Sequence, residues 1–547
     1  MKTCIDCGTQ FTVDDADRAL YAPLDMPDPV QCVRCRWRHL ASFWVFGRFR
    51  VAKSALSGKT IITNFPESVP FPLYDHTEFA SDAWDPTSYA TEYDSSRSFI
   101  EQFRELQSKV PHPHNSGMTN VACDWCDDVW SSRECYLSRS MLECEFVSYG
   151  YRMLRCKNSI DITYCFDVEN CFDVLNCFKC YGVSYSFNAH DCIESAFLFD
   201  CKNCSNCFMS WNLKNKQYCI MNEQYSKDEY TEKLKEFDTR SRAGVDVLKE
   251  QFSQIIREQA IHRADFNVQT TDVSGNFINK SKNVHDSYFI DDSENVRHSV
   301  RGIYYKNIID SVGSKAEKAA LSVTDFDVYG TVATSHCSQV LYSAYTDYCE
   351  NLEYCFGCVG LRKKKFCILN KQYDEEEYKI LVEKIKADMK ARGEWGIFWP
   401  RTMAYSGYNL SLAQMLFPIT KEVAEAGGWQ WNESEVNYPD AIPSDALPDT
   451  IDEVTDEITK KRIICPETKL SYNIAPKELE FYREHDIPLP RRHFDHRTLE
   501  RFRPLALMIT PQQGVCHSCS KEITHYYDPE LGYQKIVCVE CYQQQMS

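Results

Sequence analysis

The sequence predicts a mainly β protein: two Cys-rich β-solenoid segments, each followed by a helix, flanked by N- and C-terminal zinc-ribbon or treble-clef-like modules. Three observations predict it. Cysteines recur at regular separations in the first half of the chain, a Tyr-rich motif occurs twice, and CxxC pairs with zinc-ligand spacing stand at both ends. The expected division is 1–52 zinc-binding module, 53–115 degenerate ribbon-like module plus helix, 116–225 first solenoid, 226–263 helix, 264–373 second solenoid, 374–395 helix, 396–460 acidic linker, 461–505 degenerate module and 506–547 C-terminal zinc-binding module.

Composition narrows the class. With 547 residues the chain is long enough for several domains with real cores. A net charge of −18 argues against a surface coated in basic residues for nucleic acid, while leaving room for a local basic patch. No 18-residue apolar run predicts a membrane span, and "MKTCIDCGTQF" lacks the apolar region of a signal peptide. A reducing, cytoplasmic location is therefore expected, in which the 28 cysteines are thiols or metal ligands rather than disulfides.

At the N-terminus, Cys4 and Cys7 are followed by Cys32 and Cys35; at the other end, Cys516 and Cys519 are followed by Cys538 and Cys541. Zinc takes four soft, deprotonated ligands, and two short CxxC turns supply two thiolates each. No ligand position is left for a substrate, so two structural Zn2+ ions are expected. Each end also carries a second, degenerate copy. Cys465-x2-Thr468 followed by His493-x2-His496 repeats the 28-residue separation of Cys4 and Cys32, with Pro27/Pro29 and Pro488/Pro490 before the second pair. Ser54-x2-Ser57 and Asp75-x2-Glu78 stand where Cys516, Cys519, Cys538 and Cys541 stand in the C-terminal copy. Cys465, His493 and His496 are candidate ligands of a third zinc, for which Thr468 is a poor fourth.

Fourteen cysteines lie between Cys123 and Cys219. Five pairs are 21 apart, among them Cys135–Cys156 and Cys144–Cys165, and separations of 9 and 12 are also over-used. A repeat near 20 residues fits one coil of a β-solenoid, with small, buried Cys stacked at inside corners. Phe166, Val168, Phe172 and Val174 suit strands, and Asn170, Asn176, Asn188 and Asn203 suit left-handed turns. Cys177/Cys180 and Cys201/Cys204/Cys207 leave metal or cluster binding as the alternative.

"YCIMNEQYSKDEY" (Tyr218 to Tyr230) recurs as "FCILNKQYDEEEY" (Phe366 to Tyr378), and each copy opens a helix. Ser226 with Glu229 and Asp374 with Glu377 place an N-cap before an acid at the third helical position. Tyr230, Leu234 and Phe237, then Tyr378, Leu381, Ile385 and Met389, line the helical faces, and Gly393 closes the second helix. These helices are expected to cover the open last coils. The second solenoid has fewer cysteines and spaces Asn283, Asn295 and Asn307 by 12. From Glu433 to Glu457, nine acids, three prolines and no Lys or Arg predict an extended acidic linker.

These motifs together resemble the uncharacterised Cys-rich proteins of candidate-phyla, small-genome bacteria, which join zinc-ribbon-like CxxC…PxPxxCxxCR modules to a Cys-rich repeat region ending in "YCILNKQY". The matching pieces are Cys4 to Arg36, "SGKTII" (Ser57 to Ile62), "WDP" (Trp84 to Pro86), "FIEQFRELQSKVP" (Phe99 to Pro111), both NxQY motifs, "KELEFYREHDIPLPRRH" (Lys477 to His493) and the last CxxC pair. The resemblance implies zinc binding and no established activity. Ser54, Ser57, Asp75, Glu78, Thr468, His493 and His496 depart from its Cys pattern.

The functional expectation is a zinc-binding, non-enzymatic scaffold. From Gln31 to Lys53 there are six Lys/Arg, no acid and five aromatics. Arg34, Arg36, Trp37, Arg38, Arg48 and Arg50 are candidates for contacting RNA, since cations attract phosphate and aromatics stack on bases. The bland reading is a helix packing its aromatics inward with its arginines solvated or paired to acids. Two other readings stand beside the scaffold: a carbohydrate-active solenoid enzyme using Asp167 and Asp173, or an assembly factor binding a protein partner. No P-loop, dinucleotide fingerprint, HExxH or nucleophile elbow supports an enzyme. Two zinc ions per chain and no visible iron chromophore are expected.

Overall fold

Along the first repeat region the backbone turns left-handed at every third residue. Asn158, Asp161, Tyr164, Asp167, Asn170, Asp173 and Asn176 all have φ between +43° and +59°, and the rhythm runs from Thr119 to Met221. A left-handed residue other than Gly costs about 1–2 kcal/mol, least for Asn and Asp. Stacking offsets that cost, because each turn bonds to its neighbours: the Asn170 amide donates to the Lys157 carbonyl at 3.2 Å and the Glu169 amide to Cys180 at 3.0 Å. This computed structural model describes residues 1–433 and 438–546.

Four such triplets make one coil. Strands pair in parallel with partners 12 residues apart, as in Ile160↔Phe172, Val174↔Ser186 and Cys207↔Cys219. The coil is therefore 12 residues, which corrects the expected repeat near 20. The residue after each left-handed corner points inward, and every cysteine from Cys123 to Cys219 follows its predecessor by a multiple of three. A separation of 21 is one coil plus three sides, so Cys135 and Cys156 lie on neighbouring walls. The stacked pairs are those 12 apart, such as Cys165–Cys177 and Cys180–Cys192.

The interior sulfurs pack with Val129, Val147, Val168, Val174, Val183 and Leu198 in one core. Each thiol donates to the carbonyl two residues back, and many also approach the carbonyl nine ahead: Cys165 to Thr163 at 3.3 Å and Val174 at 3.7 Å, Cys156 to Leu154 at 3.5 Å and Cys165 at 3.2 Å. Inward serines do the same and accept from the coil above, as when the Cys171 amide donates to Ser159 Oγ at 3.0 Å. The predicted Asn170, Asn176, Asn188 and Asn203 all adopt the left-handed turn.

The second sheet, from Thr271–Asn279 to Lys371–Gln372, follows the same plan with a different lining of Ile278, Val284, Ile290, Val296, Ile308, Val328, Val340 and five cysteines from Cys337 to Cys367. The repeated NxQY motif ends each sheet. Met221 and Asn222, then Leu369 and Asn370, are consecutive left-handed residues, the geometry of a tight hairpin turn. They fold the chain back so that Cys219 pairs with Gln224 and Cys367 with Gln372, antiparallel. Helices Lys227–Leu234 and Glu375–Arg392 follow. Ser226 forms both bonds of a capping box, and Asp374 accepts from the Glu377 amide. Gly393 closes the second helix at φ +70°, but its buried face uses Val382 where Leu381 was expected. The 226–263 segment holds two helices, because Ser241 caps a fresh one at Arg242–Glu258.

The chain divides into two units. One comprises Met1–Asn115 and Asp265–Glu433, the other Ser116–Ala264 and Ser434–Ser547. The N-terminal modules thus belong with the second sheet and the C-terminal modules with the first. In the first unit, helix Val33–Ala41 lies on strands Glu294–Ile303 and Lys306–Val312. In the second, helices Pro476–Glu484 and Phe494–Ala506 pack Leu479, Tyr482 and Phe494 on Tyr149, Ile160 and Phe172. Arg501 reaches Asp161 at 2.7 Å and Asp173 at 3.0 Å there.

The 396–460 segment is packed rather than an extended linker. Trp399, Tyr405, Tyr408 and Leu412 are buried, Leu412–Leu416 and Lys421–Ala426 are helical, and Ile442–Pro443 pairs with Ile463–Ile464. Its acids mask a set of large apolar residues that dock, which a charge count does not register. Residues 434–437 of the predicted acidic stretch lie outside the described residues.

Candidate metal centres

Four short hairpins share one turn. The strand pairs are Lys2–Thr3 with Gln10–Phe11, Arg50–Lys53 with Thr60–Thr63, Ile463–Ile464 with Ser471–Tyr472, and Gln512–Val515 with Glu522–His525. In each, the first knuckle residue donates its amide five residues ahead and accepts four residues ahead. Cys4 bonds Thr9 and Gly8, Ser54 bonds Lys59 and Gly58, Cys465 bonds Leu470 and Lys469, and Cys516 bonds Lys521 and Ser520, all at 2.8–3.0 Å. Gly8, Gly58, Lys469 and Ser520 are left-handed. The second half is equally regular: Cys32, Asp75, His493 and Cys538 each N-cap a helix. The backbone thus repeats four times, and the side chains decide what fills each knuckle.

In two copies the filling is sulfur. Cys4, Cys7, Cys32 and Cys35 bring their sulfurs within 4.8 Å of one another, as do Cys516, Cys519, Cys538 and Cys541. Cys7 Sγ is 3.7 Å from Cys32 Sγ, and Cys519 Sγ is 3.9 Å from Cys538 Sγ. Zinc–sulfur bonds near 2.3 Å in a tetrahedron place sulfurs about 3.8 Å apart, so both sets fit an ion. Contact with the Cys35 thiol holds Cys32 down at about 5, and the same contact pushes Cys35 up. Backbone amides orient the C-terminal set, with Cys538 N–H on Cys516 Sγ at 3.2 Å and Cys541 N–H on Cys538 Sγ at 3.4 Å.

In the second N-terminal copy, hydrogen bonds replace sulfur. Ser54 Oγ donates to Glu78, Lys59 Nζ pairs with Asp75 Oδ2 at 2.9 Å, and Thr77 donates its amide to Asp75 Oδ1 at 2.9 Å. Burial works against the Asp75 charge, but the bonds from Thr77 and Lys59 outweigh it and hold its carboxyl well below the usual range. In the third copy, Cys465 donates to Glu467 Oε2 at 3.3 Å and Arg492 grips Glu467 Oε1 at 2.8 Å. Among the described residues, Cys465, His493 and His496 do not form a converging ligand group. His493 caps its helix by accepting from the Asp495 amide, and His496 faces Glu500 at 3.3 Å. The possible third zinc at these residues is not supported, because their ligand atoms do not converge.

One group escaped the sequence reading. Asp75, His76 and His114 place ligand atoms within 4.8 Å of one another. Asp75 was read only as a lost cysteine; the signal was the Asp75-His76 dipeptide together with the His-x-His of "PHPHN". The interior thiols of the sheets form no converging tetrad among the described residues, which agrees with stacked packing.

The RNA candidates face inward or are engaged. Arg36 is 5 % exposed and Asp310 1 %, with Nε to Oδ1 at 2.7 Å, and Tyr21 donates to the other oxygen at 2.5 Å. Trp37 is buried, donating to the His298 carbonyl at 2.7 Å and meeting Tyr288 edge-on. Arg38 lies over Trp429 and Arg34 over Phe417. Arg50 donates to the Phe65 carbonyl at 2.7 Å, and Arg48 also has an intramolecular partner. The alternation of bulky apolar and basic residues thus marks a docking helix. Of the carboxylate pair considered for sugar chemistry, Asp167 is clasped by Arg155 at 2.6 and 2.9 Å, and Asp173 by Lys249 and Arg501.

No family model matches the chain, and no curated protein matches it. Among solved structures, a Desulfovibrio desulfuricans G20 protein provisionally named an acetyltransferase aligns at 9 % identity over 43 % of this chain and 60 % of that one, with a TM-score of 0.09. At that score the likeness carries no argument about fold or activity. Among the described residues, no helix is long and apolar enough to cross a membrane.

Proposed function

We propose that this chain is a zinc-binding, non-enzymatic scaffold, with Cys4/Cys7/Cys32/Cys35 and Cys516/Cys519/Cys538/Cys541 each holding one structural zinc. The carrying observation is the convergence of eight sulfurs into two tetrads at tetrahedral spacing. Four thiolates leave no open position for substrate, so the ion supplies a cross-link and no reaction chemistry. The many reduced, interior thiols favour a cytoplasmic home, and the resemblance to the Cys-rich proteins of candidate-phyla bacteria points to the same zinc chemistry.

A protein partner suits the molecule better than RNA. Arg36, Trp37 and Arg50, three of the residues that suggested RNA, are committed to intramolecular contacts, and the chain is strongly acidic. Stacked coils offer long regular faces of the kind repeat proteins use for binding.

Metal analysis with visible and ultraviolet absorbance on the purified chain tests the reading. One zinc at each tetrad, no iron chromophore and a 260/280 nm ratio of protein alone are expected, with Cys32→Ser and Cys538→Ser each removing one equivalent. Iron colour, or a zinc content that neither variant lowers, overturns the metal assignment. Co-purifying RNA released by salt overturns the choice of partner.

A further inference from the structure

We infer that Asp75, His76 and His114 form a separate centre for a divalent transition ion, built with nitrogen and oxygen donors inside the module whose cysteines are replaced. The three residues come from two elements. Asp75 and His76 begin the short helix His76–Phe79, and His114 follows the strand His112–Pro113, which pairs beside Leu73–Tyr74. His114 is anchored through its backbone: its amide donates to Tyr74 at 2.8 Å, and its carbonyl accepts from Thr63 Oγ1 at 2.7 Å. These bonds carry its ring to the start of the helix.

The donors are in the right chemical form. His114 Nδ1 accepts from the His76 amide at 3.0 Å, so this nitrogen carries no proton; its lone pair points at that amide and reaches an ion only when the amide is displaced. His76 Nδ1 is buried and has no hydrogen-bond partner. A buried nitrogen left unsatisfied costs free energy unless something binds it, and a metal ion does so here. Asp75 is 4 % exposed. Its present partner, Lys59, has a side chain 59 % exposed, so the ammonium can swing into solvent when a cation arrives.

Two imidazoles and one carboxylate suit zinc and its neighbours in the first transition row, and three protein ligands leave a fourth position open. The site differs from the tetrads in softness and coordination. Binding must displace the His76 amide from His114 and Lys59 from Asp75, which makes it the weakest of the three centres. Because it shares no ligand with the tetrads, it stands or falls separately from them.

The test is cobalt(II) titration of the full chain after removal of metal under reducing conditions, with bound cobalt measured directly. Three equivalents are expected: two that bring thiolate-to-cobalt charge-transfer absorption, and a weaker third that adds none. His76→Ala removes a side chain whose Nδ1 has no partner, so it is expected to leave the fold intact and abolish the third equivalent while keeping both thiolate signals. Asp75→Asn is expected to do the same, and Lys59→Ala to tighten the third equivalent about tenfold by removing the competing ammonium. Saturation of the wild type at the two thiolate equivalents, or a third equivalent that survives both His76→Ala and Asp75→Asn, overturns the proposal. Loss of the charge-transfer bands themselves would instead overturn the tetrad assignment.

Discussion

The first two N-terminal modules use one backbone and two kinds of cement. In the first, Cys4, Cys7, Cys32 and Cys35 surround a point where an ion fits; in the second, Ser54, Glu78, Lys59 and Asp75 close the same turn with hydrogen bonds and an ion pair. The knuckle is therefore a property of the chain's local turn, and metal is one of two ways to secure it. The first module's hairpin has strands of only two residues, and its four sulfurs take the place of a longer hairpin. The second has four-residue strands and the buried Phe65, Phe71 and Ile61 behind it, so a polar network suffices.

The largest expected effect comes from taking the metal out of the first module. Structural zinc sites contribute about 10 kcal/mol or more of apparent binding free energy. Cys32→Ser, or chelation under reducing conditions, should abolish hydrogen-exchange protection around Cys4–Thr9 while leaving the hairpin of residues 50–63 protected. Equal loss in both modules would break the distinction. Next is the anchor that fastens the first module to its sheet. Arg36→Ala leaves Asp310 buried and unpaired, and should destabilise the first unit by about 3–5 kcal/mol in urea unfolding. A neutral result would mean that the helix is held by its aromatics alone.

Acid separates the two cements. Asp75 has its carboxyl depressed in the folded state, so its contribution is fully present above its ordinary value near 3.9 and fades only as pH falls below it. The thiolates of the first module must compete with protons at higher pH. Zinc release is expected first, at the higher pH, and fading of the Asp75 contribution only below about 3.9, followed by metal analysis and amide exchange on the same samples. Asp75→Ala removes a helix cap and a charged hydrogen-bond acceptor and should cost about 2–3 kcal/mol. Ser54→Ala, which removes one hydrogen bond, should cost about 1 kcal/mol.

Much of the knuckle geometry was legible because it is local. The alignment of Cys4, Ser54, Cys465 and Cys516 rests on spacing within a few residues, and each position makes the same turn. The β-solenoid was legible from Cys and Asn periodicity, but the coil length was misread. Separations of 9, 12 and 21 were all present, and 21 was chosen as the period when three, the factor they share, was the structural unit. The basic-aromatic helix left two readings open for a different reason: a buried Arg36 and an exposed one look alike until Asp310, 274 residues away, is placed beside it.

By itself, the sequence determined what short-range geometry can encode: left-handed corners favoured by Asn, inward cysteines after each corner, capped helices after each NxQY hairpin, and two sulfur tetrads. Only the tertiary structure decided which end of the chain accompanies which sheet, that Arg36 and Trp37 are anchors, and that His114 meets Asp75 and His76. The reason is physical. Turns and caps are closed by hydrogen bonds between residues a few positions apart, whereas docking depends on surfaces assembled from distant segments, whose complementarity exists only once the coils have stacked.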